Sequence, residues 1–206
     1  MSLEFIDLGL SSGTKWANMN IGAESETDYG LYFQWGDTVG YTGDEAKAHS
    51  TWSTCPGNDG NEEDESVPIA TWDSKFFNNN VLKADVDAAY VHTNGIAKMP
   101  TAEQYQELLN ETTQSWEENF NGSGINGVKF VNKNNSSKYI FIPASGYTWN
   151  GKFYCVGYTG SAWSCSACTS YSRYASYFYF NRNNCGITTT NRIYGQCIRG
   201  IKKIKN

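Results

Sequence analysis

The segment from Phe153 to Gly195 contains no Asp, Glu, Lys, Gln or Met and only one Trp, Trp163. At average usage, about eight or nine residues in a stretch of this length would be Lys, Glu, Gln, Met or Trp. The bias is local, because residues 1–118 hold 29 residues of these five types. Tyr, Ser, Gly, Asn and Thr dominate what remains, and this composition favours Gly/Ser/Tyr-rich strands and loops.

Two interpretations of this composition stay open. The first is an ordinary β-structure with a biased composition. The second is a binding surface, since Tyr supplies rigid amphipathic area while Ser, Gly and Asn supply adaptable hydrogen bonds, as in antibody loops. The genetic code offers a further explanation of the same composition, in which the segment arose by changes at the adenines of particular codons. Every residue of the segment except Trp163 can be reached by changing only the adenines of an AAC or AAT codon, whereas Lys, Glu, Gln, Met and Trp cannot.

The bulk properties predict one domain over residues 1–206, with a loop insertion at about 37–80. Aromatic residues make up 15% and charged residues 18% of the chain, which suits an α+β or β fold rich in Tyr and Trp. No apolar run approaches the roughly 18 residues that a membrane-spanning helix needs, so we expect no membrane insertion. The first residues show no basic and apolar signal-peptide pattern.

The charge is divided unevenly along the chain. All 21 carboxylates lie in residues 1–118 with five Lys, for a net charge of -16, and residues 119–206 carry eleven Lys and Arg, for +11. The sum is the overall -5. A basic region can indicate nucleic-acid binding, but here the positive residues are scattered. We therefore expect the two parts to fold together and neutralise each other, with no nucleic-acid partner.

The clearest local structure signal is a helix over Thr101–Glu111. Thr101 is an N-cap residue, and Gln104 stands three residues later as its capping-box partner. Tyr105, Leu108 and Leu109 fall on one helical face. A second, shorter helix is predicted over Asp85–Tyr90. Strands or buried extended segments are predicted at Phe5–Leu10, Lys15–Ala23, Tyr29–Trp35, Lys138–Pro143, Tyr177–Phe180 and Arg192–Ile201.

Metal and redox motifs are weak. Cys165 and Cys168 have a CxxC spacing, but zinc needs further ligands and the two His, His49 and His92, are distant in sequence. The acidic run at residues 58–65 contains calcium-ligand residue types without the spacing of an EF-hand. We expect no metal and no cofactor, and we interpret several of the six cysteines as members of the biased composition.

An ordered series of motifs resembles a known family. The series is Ile6–Ala17 (IDLGLSSGTKWA), Asn20–Ala23 (NIGA), Tyr29–Asp37 (YGLYFQWGD), Met99–Leu109 (MPTAEQYQELL), Phe141–Tyr147 (FIPASGY), Gly157–Ser164, and Tyr194–Arg199 (YGQCIR). Together they resemble the major paralogous domain of gut Bacteroidetes and Fibrobacter. That group is similar to the formylglycine-generating-enzyme branch of the C-type lectin-like fold.

The resemblance implies an α+β fold of the C-type lectin-like type, with few helices, short antiparallel strands and long loops. It also implies a function, because variable proteins of diversity-generating retroelements use this fold. In those proteins a C-terminal segment is rewritten by adenine-directed mutagenesis and displayed as a ligand-binding face. The corresponding variable region here is about 147–194, which overlaps the segment of biased composition.

Candidate ligand-binding residues follow from that region. They are Phe153, Tyr154, Tyr158, Ser161, Ala167, Ser170, Tyr171, Arg173, Tyr174, Ser176, Phe178, Asn183, Asn184, Thr190, Ile193 and Tyr194. In the Tyr177–Phe180 strand, alternation places residues 177 and 179 on one face and 178 and 180 on the other, and we assign Phe178 to the binding face. Arg173 is expected to be exposed and available to an anionic ligand group. Trp16, Trp35, Trp116 and Trp163 are expected in the core, and Arg199 is expected to be structural.

The predicted function is therefore a non-enzymatic display protein that binds a protein or glycan ligand on a cell surface. Its expected location is extracellular, on a bacterial surface or phage virion, either as a monomer or as part of a larger protein. Two alternatives remain open. One is a surface lectin-like domain that is not diversified, and the other is an oxidase of the formylglycine-generating type in which Cys185 and Cys197 approach each other. The sequence signatures of calcium-dependent sugar lectins are absent.

Overall fold

Antiparallel strands are the main regular elements of the structure, which is a computed structural model that describes residues 2–57 and 76–203. Strands account for 42% and helical segments for 16%. The α-helices in the described ranges are α1 (Gly43–Ala48), α2 (Ala88–His92) and α3 (Ala102–Glu111). The predicted α+β class is therefore wrong, and the fold is β-rich. Sequence reasoning overestimated the helical part because only α3 extends beyond two turns.

The strands form four sheets. Their bounds are β1 (Phe5–Asp7), β2 (Thr14–Asn20), β3 (Phe77–Asn78), β4 (Val81–Leu82), β5 (Thr112–Glu117), β6 (Gly127–Asn132), β7 (Asn135–Pro143), β8 (Tyr147–Trp149), β9 (Lys152–Tyr154), β10 (Thr159–Ala167), β11 (Tyr174–Asn181), β12 (Cys185–Asn191) and β13 (Arg199–Lys203). The sheet orders are β1-β2-β13, β12-β11-β10-β4-β3, β5-β6-β7 and β8-β9. All of these strand pairs are antiparallel.

The first sheet joins the two ends of the described chain. On β2, Trp16 lies opposite Ile6 of β1 and opposite Ile201 of β13. Trp16 is completely buried, and its ring centroid lies 5.1 Å from that of Tyr105 on α3. The prediction of Trp16 as a core residue is confirmed.

The capping box of α3 is confirmed. The Gln104 backbone N–H donates to Thr101 Oγ1 at 3.3 Å, and the Thr101 N–H donates to Gln104 Oε1 at 2.9 Å. These two bonds satisfy amide groups that the first helical turn leaves without intrahelical partners. Tyr105 and Leu108 are fully buried, so the predicted apolar face of the helix is the one that packs on the core.

Three other predicted elements differ in detail. The Tyr29–Trp35 segment is buried from Tyr32 onward but forms only isolated bridges, at Tyr32 and Phe33. A turn and isolated bridges precede β13, which begins at Arg199 rather than at 192. The helix predicted over 85–90 is divided into a 3-10 turn at Ala84–Val86 and α2.

The insertion predicted at 37–80 is not wholly irregular. It contains α1, a 3-10 turn at Trp52–Thr54 and the short strand β3. The acidic run at 58–65 lies outside the described residues. Within the described ranges, no helix is both long and apolar enough to cross a bilayer.

The five-stranded sheet has two different faces. Phe178 and Phe180 of β11 are fully buried and belong to the core that contains Tyr105, Leu108 and Phe130. Gly160 lies opposite Phe180, and a Cβ atom there would come within 1.9 Å of the Phe180 ring. The opposite face carries Trp163, which is also fully buried and belongs to a second core cluster. Half-buried tyrosines lie farther out on this face.

Arg199 connects three strands, which confirms its predicted structural role. Its guanidinium donates to the Ala17 carbonyl of β2 at 3.0 Å and to the Phe141 carbonyl of β7 at 2.7 Å. The residue is completely buried, and burial lowers the pKa of the guanidinium to about 10. The group therefore remains protonated at neutral pH.

Replacing Arg199 with lysine should lower the free energy of unfolding by about 2 kcal/mol. Lysine keeps the charge but lacks the planar fork that reaches two carbonyls, so one charge-assisted hydrogen bond is lost. Urea unfolding followed by fluorescence measures the change. Arg182→Lys is the matched control, because Arg182 makes an exposed ion pair with Glu118 and should change stability by less than about 0.5 kcal/mol. Equal effects of the two substitutions would contradict this role.

Candidate functional site

The hairpin formed by β8 and β9 carries several neighbouring aromatic side chains at the surface of the protein. Its turn is Asn150–Gly151, and both residues have positive φ, 45° and 79°. Asn-Gly favours this type of two-residue turn because both central positions need a left-handed backbone. Tyr147 lies opposite Tyr154 and Trp149 lies opposite Lys152, so these four side chains share one face of the hairpin.

Four rings form what we name the hairpin aromatic cluster: Tyr147, Trp149, Tyr154 and Tyr194. The Tyr147 ring stacks on Tyr154, with centroids 5.3 Å apart, and on Tyr194 at 5.2 Å. The Trp149 ring is tilted against Tyr154 and Tyr194, at 5.9 Å from each. Trp149 is 38% exposed and the three tyrosines are half-buried. The cluster is therefore a supported aromatic surface rather than a set of free side chains.

Backbone hydrogen bonds attach this hairpin to the rest of the protein. Thr148 and Gly195 exchange two of them, with N–H to carbonyl distances of 2.8 and 2.9 Å. The Asn150 N–H donates to the Ser50 carbonyl at 3.0 Å. The approach at Gly195 requires glycine, because a Cβ atom there would lie 2.0 Å from Thr148 Oγ1. These bonds use main-chain atoms and do not involve the aromatic side chains of the hairpin.

Two tyrosines of β11 extend the aromatic surface. Tyr177 and Tyr179 are half-buried, and their ring centroids lie 6.3 Å apart. Burial raises the pKa of Tyr177, and the nearby phenols of Tyr147, Tyr179 and Tyr194 raise it further. The Tyr177 phenol is therefore neutral at physiological pH and can both donate and accept hydrogen bonds.

A rigid layer lies beneath these rings. The Trp35 Nε1–H donates to the Ser164 carbonyl, and the Trp163 Nε1–H donates to the Phe33 carbonyl, both at 2.8 Å. Both indoles are fully buried, as predicted for Trp35 and Trp163. Trp163 also meets the edge of the Tyr177 ring at a centroid distance of 6.1 Å. The remaining predicted core residue, Trp116, is only partly buried, against the α3 core.

The sixteen candidate binding residues fall into three exposure groups. Exposed positions are Tyr158, Ser170, Tyr171, Asn183 and Asn184; half-buried positions are Phe153, Tyr154, Tyr174, Thr190 and Tyr194; buried positions are Ser161, Ala167, Arg173, Ser176, Phe178 and Ile193. Only Tyr154 and Tyr194 belong to the hairpin aromatic cluster. Phe153 points to the other side of the hairpin and packs against Tyr32 at 5.3 Å.

The exposed candidates do not form one continuous patch. Tyr158 and the Asn183–Asn184 turn lie at the end of the sheet where β10 begins and β11 ends. Tyr171 and Tyr174, whose rings are 5.6 Å apart, lie at the opposite end, next to the loop that follows β10. A nine-residue strand such as β10 is about 27 Å long. One compact ligand therefore cannot contact both groups.

Two explicit assignments are wrong. Phe178 does not face a binding surface, because it is fully buried and its ring stacks on Tyr105 at 4.9 Å. Arg173 is only 4% exposed, and its guanidinium lies 4.5 Å from the ring centroid of Trp52. The residues around Arg173 in sequence are polar, but its aromatic neighbour comes from a segment more than a hundred positions away.

Sequence reasoning missed four residues of the aromatic surface: Tyr147, Trp149, Tyr177 and Tyr179. The signal for the first two was available in Asn150–Gly151, which predicts a hairpin and therefore a shared face for Tyr147, Trp149 and Tyr154. For Tyr177 and Tyr179 the alternation was recognised, but the outward face was assigned to the wrong pair.

All six cysteines are free thiols. Burial raises the pKa of Cys55, Cys165 and Cys197 to about 12, so these thiols are protonated at neutral pH. Thiolates, rather than thiols, bind metals and attack disulfides. Cys185 packs with the α3 core, whereas Cys197 packs with Tyr32 and Ala46, so the structure does not bring this pair together.

Thiol labelling should separate these cysteines by exposure. Cys155 is exposed and should react first with a maleimide, while Cys55, Cys165 and Cys197 should react only after unfolding, because reaction needs both access and thiolate. Mass spectrometry of the native protein over time measures the order. A Cys155→Ser variant should lose the fast phase, and rapid labelling of Cys165 in the native state would contradict this assignment.

Across residues 2–57 and 76–203, no group of three or more His, Cys, Asp or Glu is placed to hold a metal ion. The calcium-like run at 58–65 lies outside these ranges. What the surface offers is aromatic area with neutral hydrogen-bonding groups. Comparisons with protein-family models, with curated proteins and with solved structures found no match to this chain.

Proposed function

We propose that this protein is a ligand-binding display protein whose C-terminal surface is diversified by a retroelement. The ligand is a protein or glycan on a cell surface, and the protein acts outside the cell, on a bacterial surface or phage virion. This proposal rests on the family resemblance of the ordered motifs together with the composition of residues 153–195. A β-rich frame supplies rigidity, and surface side chains supply specificity.

The observation that carries the proposal is the hairpin aromatic cluster. Tyr147, Trp149 and Tyr154 lie on a hairpin that is fixed to the frame by main-chain hydrogen bonds, and the Tyr194 ring packs against them. Tyr and Trp on a rigid support are the residues that dominate binding energy at interfaces. Because main-chain groups make the attachment, the exposed side chains can change without loosening the hairpin.

The burial of Trp163 agrees with this proposal. It is the one residue in 153–195 that adenine changes in an AAC or AAT codon cannot produce, and it is completely buried in the frame. A diversified segment needs constant positions in its core and variable positions on its surface. Phe178 and Phe180 belong to the restricted set of residue types but are buried, so we expect them to be constant as well.

Sequencing the gene and its flanking DNA in many cells or phages of one source population tests this proposal. We expect variation confined to codons of about 147–194, at adenines of a nearby invariant near-copy, with a reverse transcriptase gene alongside. Within that stretch, Tyr154, Tyr158, Tyr177, Tyr179 and Tyr194 should vary, and Trp163, Phe178 and Phe180 should not.

A uniform segment without a near-copy would overturn diversification. The remaining proposal would then be a lectin-like surface domain with one fixed ligand, since the aromatic cluster does not depend on how its sequence arose. Variation spread equally over the codons of buried and of exposed residues would also contradict the proposal, because substitutions at Phe178 or Phe180 would destabilise the frame.

A further inference from the structure

We propose that the hairpin aromatic cluster binds the apolar face of a neutral sugar ring, with Trp149 as the stacking surface. This inference rests on the proposed ligand-binding function and names the class of ligand. A pyranose ring presents several C–H bonds on one face and hydroxyl groups around its edge. The face of an aromatic ring carries negative charge density and attracts such C–H groups, while hydroxyls need neutral hydrogen-bonding partners nearby.

The size of the exposed cluster fits a small ring rather than a protein. Each aromatic side chain has about 150–250 Å² of surface. With Trp149 38% exposed and the other three rings half-buried, the cluster presents on the order of 300 Å². A stable protein partner covers about 800 Å² per side. The cluster alone matches one or two sugar units.

The composition of the C-terminal part disfavours a cationic ligand. The chain has no Asp or Glu after residue 118, so this part of the protein supplies no carboxylate to a cationic ligand. Lys152 lies opposite Trp149 and can donate to a hydroxyl oxygen. Asn150 and Thr188 are exposed, at the hairpin turn and opposite Tyr177 respectively. Amide, hydroxyl and phenol groups of this kind bind sugar hydroxyls.

Trp149 has a special position if the surface is diversified. No adenine change in an AAC or AAT codon produces Trp, so Trp149 would be constant while Tyr154, Tyr177, Tyr179 and Tyr194 vary. Every variant would then keep the stacking surface. The variable residues around it would distinguish the linkage and substituents of the sugar rather than the presence of a sugar ring.

Titration with neutral oligosaccharides tests the inference directly. The probes are cellohexaose, xylohexaose, mannohexaose, maltohexaose and N-acetylchitohexaose, each at up to about 10 mM, which detects dissociation constants near 1 mM. The readout is the Trp149 indole N–H signal in ¹H–¹⁵N NMR spectra, identified by its loss in Trp149→Ala. We expect at least one probe to shift this signal, and EDTA to leave the shift unchanged.

Variants separate stacking from other causes. Trp149→Ala should weaken binding of the responding probe about tenfold or more, and Trp149→Tyr should retain part of it. Ile96→Ala is the matched control, because Ile96 is also an exposed apolar residue, 56% exposed, but lies outside residues 147–194. It should leave binding unchanged. Thermal unfolding of each variant shows that the fold is retained.

The outcomes distinguish this inference from the proposed function. If no probe shifts the Trp149 signal, or if EDTA abolishes binding, the stacking assignment is overturned, even when population sequencing shows variation at 147–194. If a probe binds and Trp149→Ala weakens it while the gene is uniform, the sugar assignment stands and diversification falls. Equal losses in Trp149→Ala and Ile96→Ala would also overturn it.

Discussion

Replacing Trp163 with alanine should lower the free energy of unfolding by about 3–5 kcal/mol. The side chain is completely buried, and its indole N–H donates to the Phe33 carbonyl at 2.8 Å. Truncation removes a large apolar surface and leaves a cavity that Trp35 and Tyr177 cannot fill without moving. The Phe33 carbonyl keeps a second donor, the Gln196 N–H at 2.9 Å, so most of the loss comes from packing.

Urea unfolding followed by circular dichroism measures this change. Trp163→Phe should cost less, because a phenyl ring retains part of the packing. Tyr171→Ser, at an exposed position of the same segment, should stay within about 0.5 kcal/mol. Equal losses in the free energy of unfolding at positions 163 and 171 would contradict the proposed division of residues 153–195 into a constant frame and an exposed binding surface.

Phe178→Ala should cost a similar amount, about 3–5 kcal/mol. The Phe178 ring stacks on Tyr105 at 4.9 Å and contacts Phe130 and Phe180 at 5.8 and 5.5 Å. It therefore joins β11 to α3 and β6. Aromatic pairs add about 0.5–1.5 kcal/mol beyond the area they bury, so this loss should lie toward the upper end.

The adjacent residue provides the control for Phe178. Tyr179 points to the opposite face of β11 and is half-buried, so Tyr179→Ala should cost roughly 1 kcal/mol. The two variants change neighbouring aromatic residues in one strand, and only the face differs. If Tyr179→Ala destabilised the protein more than Phe178→Ala, the orientation of β11 described here would be wrong.

The structure explains how a surface can tolerate extensive substitution. Main-chain bonds of Thr148, Asn150 and Gly195 fix the hairpin, and the paired indoles of Trp35 and Trp163 fix the layer beneath it. None of these contacts uses the exposed side chains of Trp149 or Tyr154. The exposed side chains and the contacts that stabilise the fold therefore belong to largely separate residues, as the proposed diversification requires.

Local interactions were predicted correctly from sequence. The capping box of Thr101 and Gln104, the apolar face with Tyr105 and Leu108, and the alternation along β11 each depend on residues within four positions of one another. Spacing is enough to identify such features, because helix and strand geometry set which neighbours share a face. The burial of Trp16, Trp35 and Trp163 also followed, because large apolar side chains favour the core.

Tertiary structure decided which of two possible faces is covered. Alternation in Tyr177–Phe180 is symmetrical, and Phe178 is buried only because α3 and β6 pack against its side of the sheet. Arg173 is buried because Trp52, far away in sequence, lies against its guanidinium. The hairpin aromatic cluster likewise needs Tyr194 beside Tyr147, forty-seven positions apart. Sequence spacing thus determined the local elements and their two-sided patterns, whereas contacts between distant segments selected the buried side and assembled the hairpin aromatic cluster.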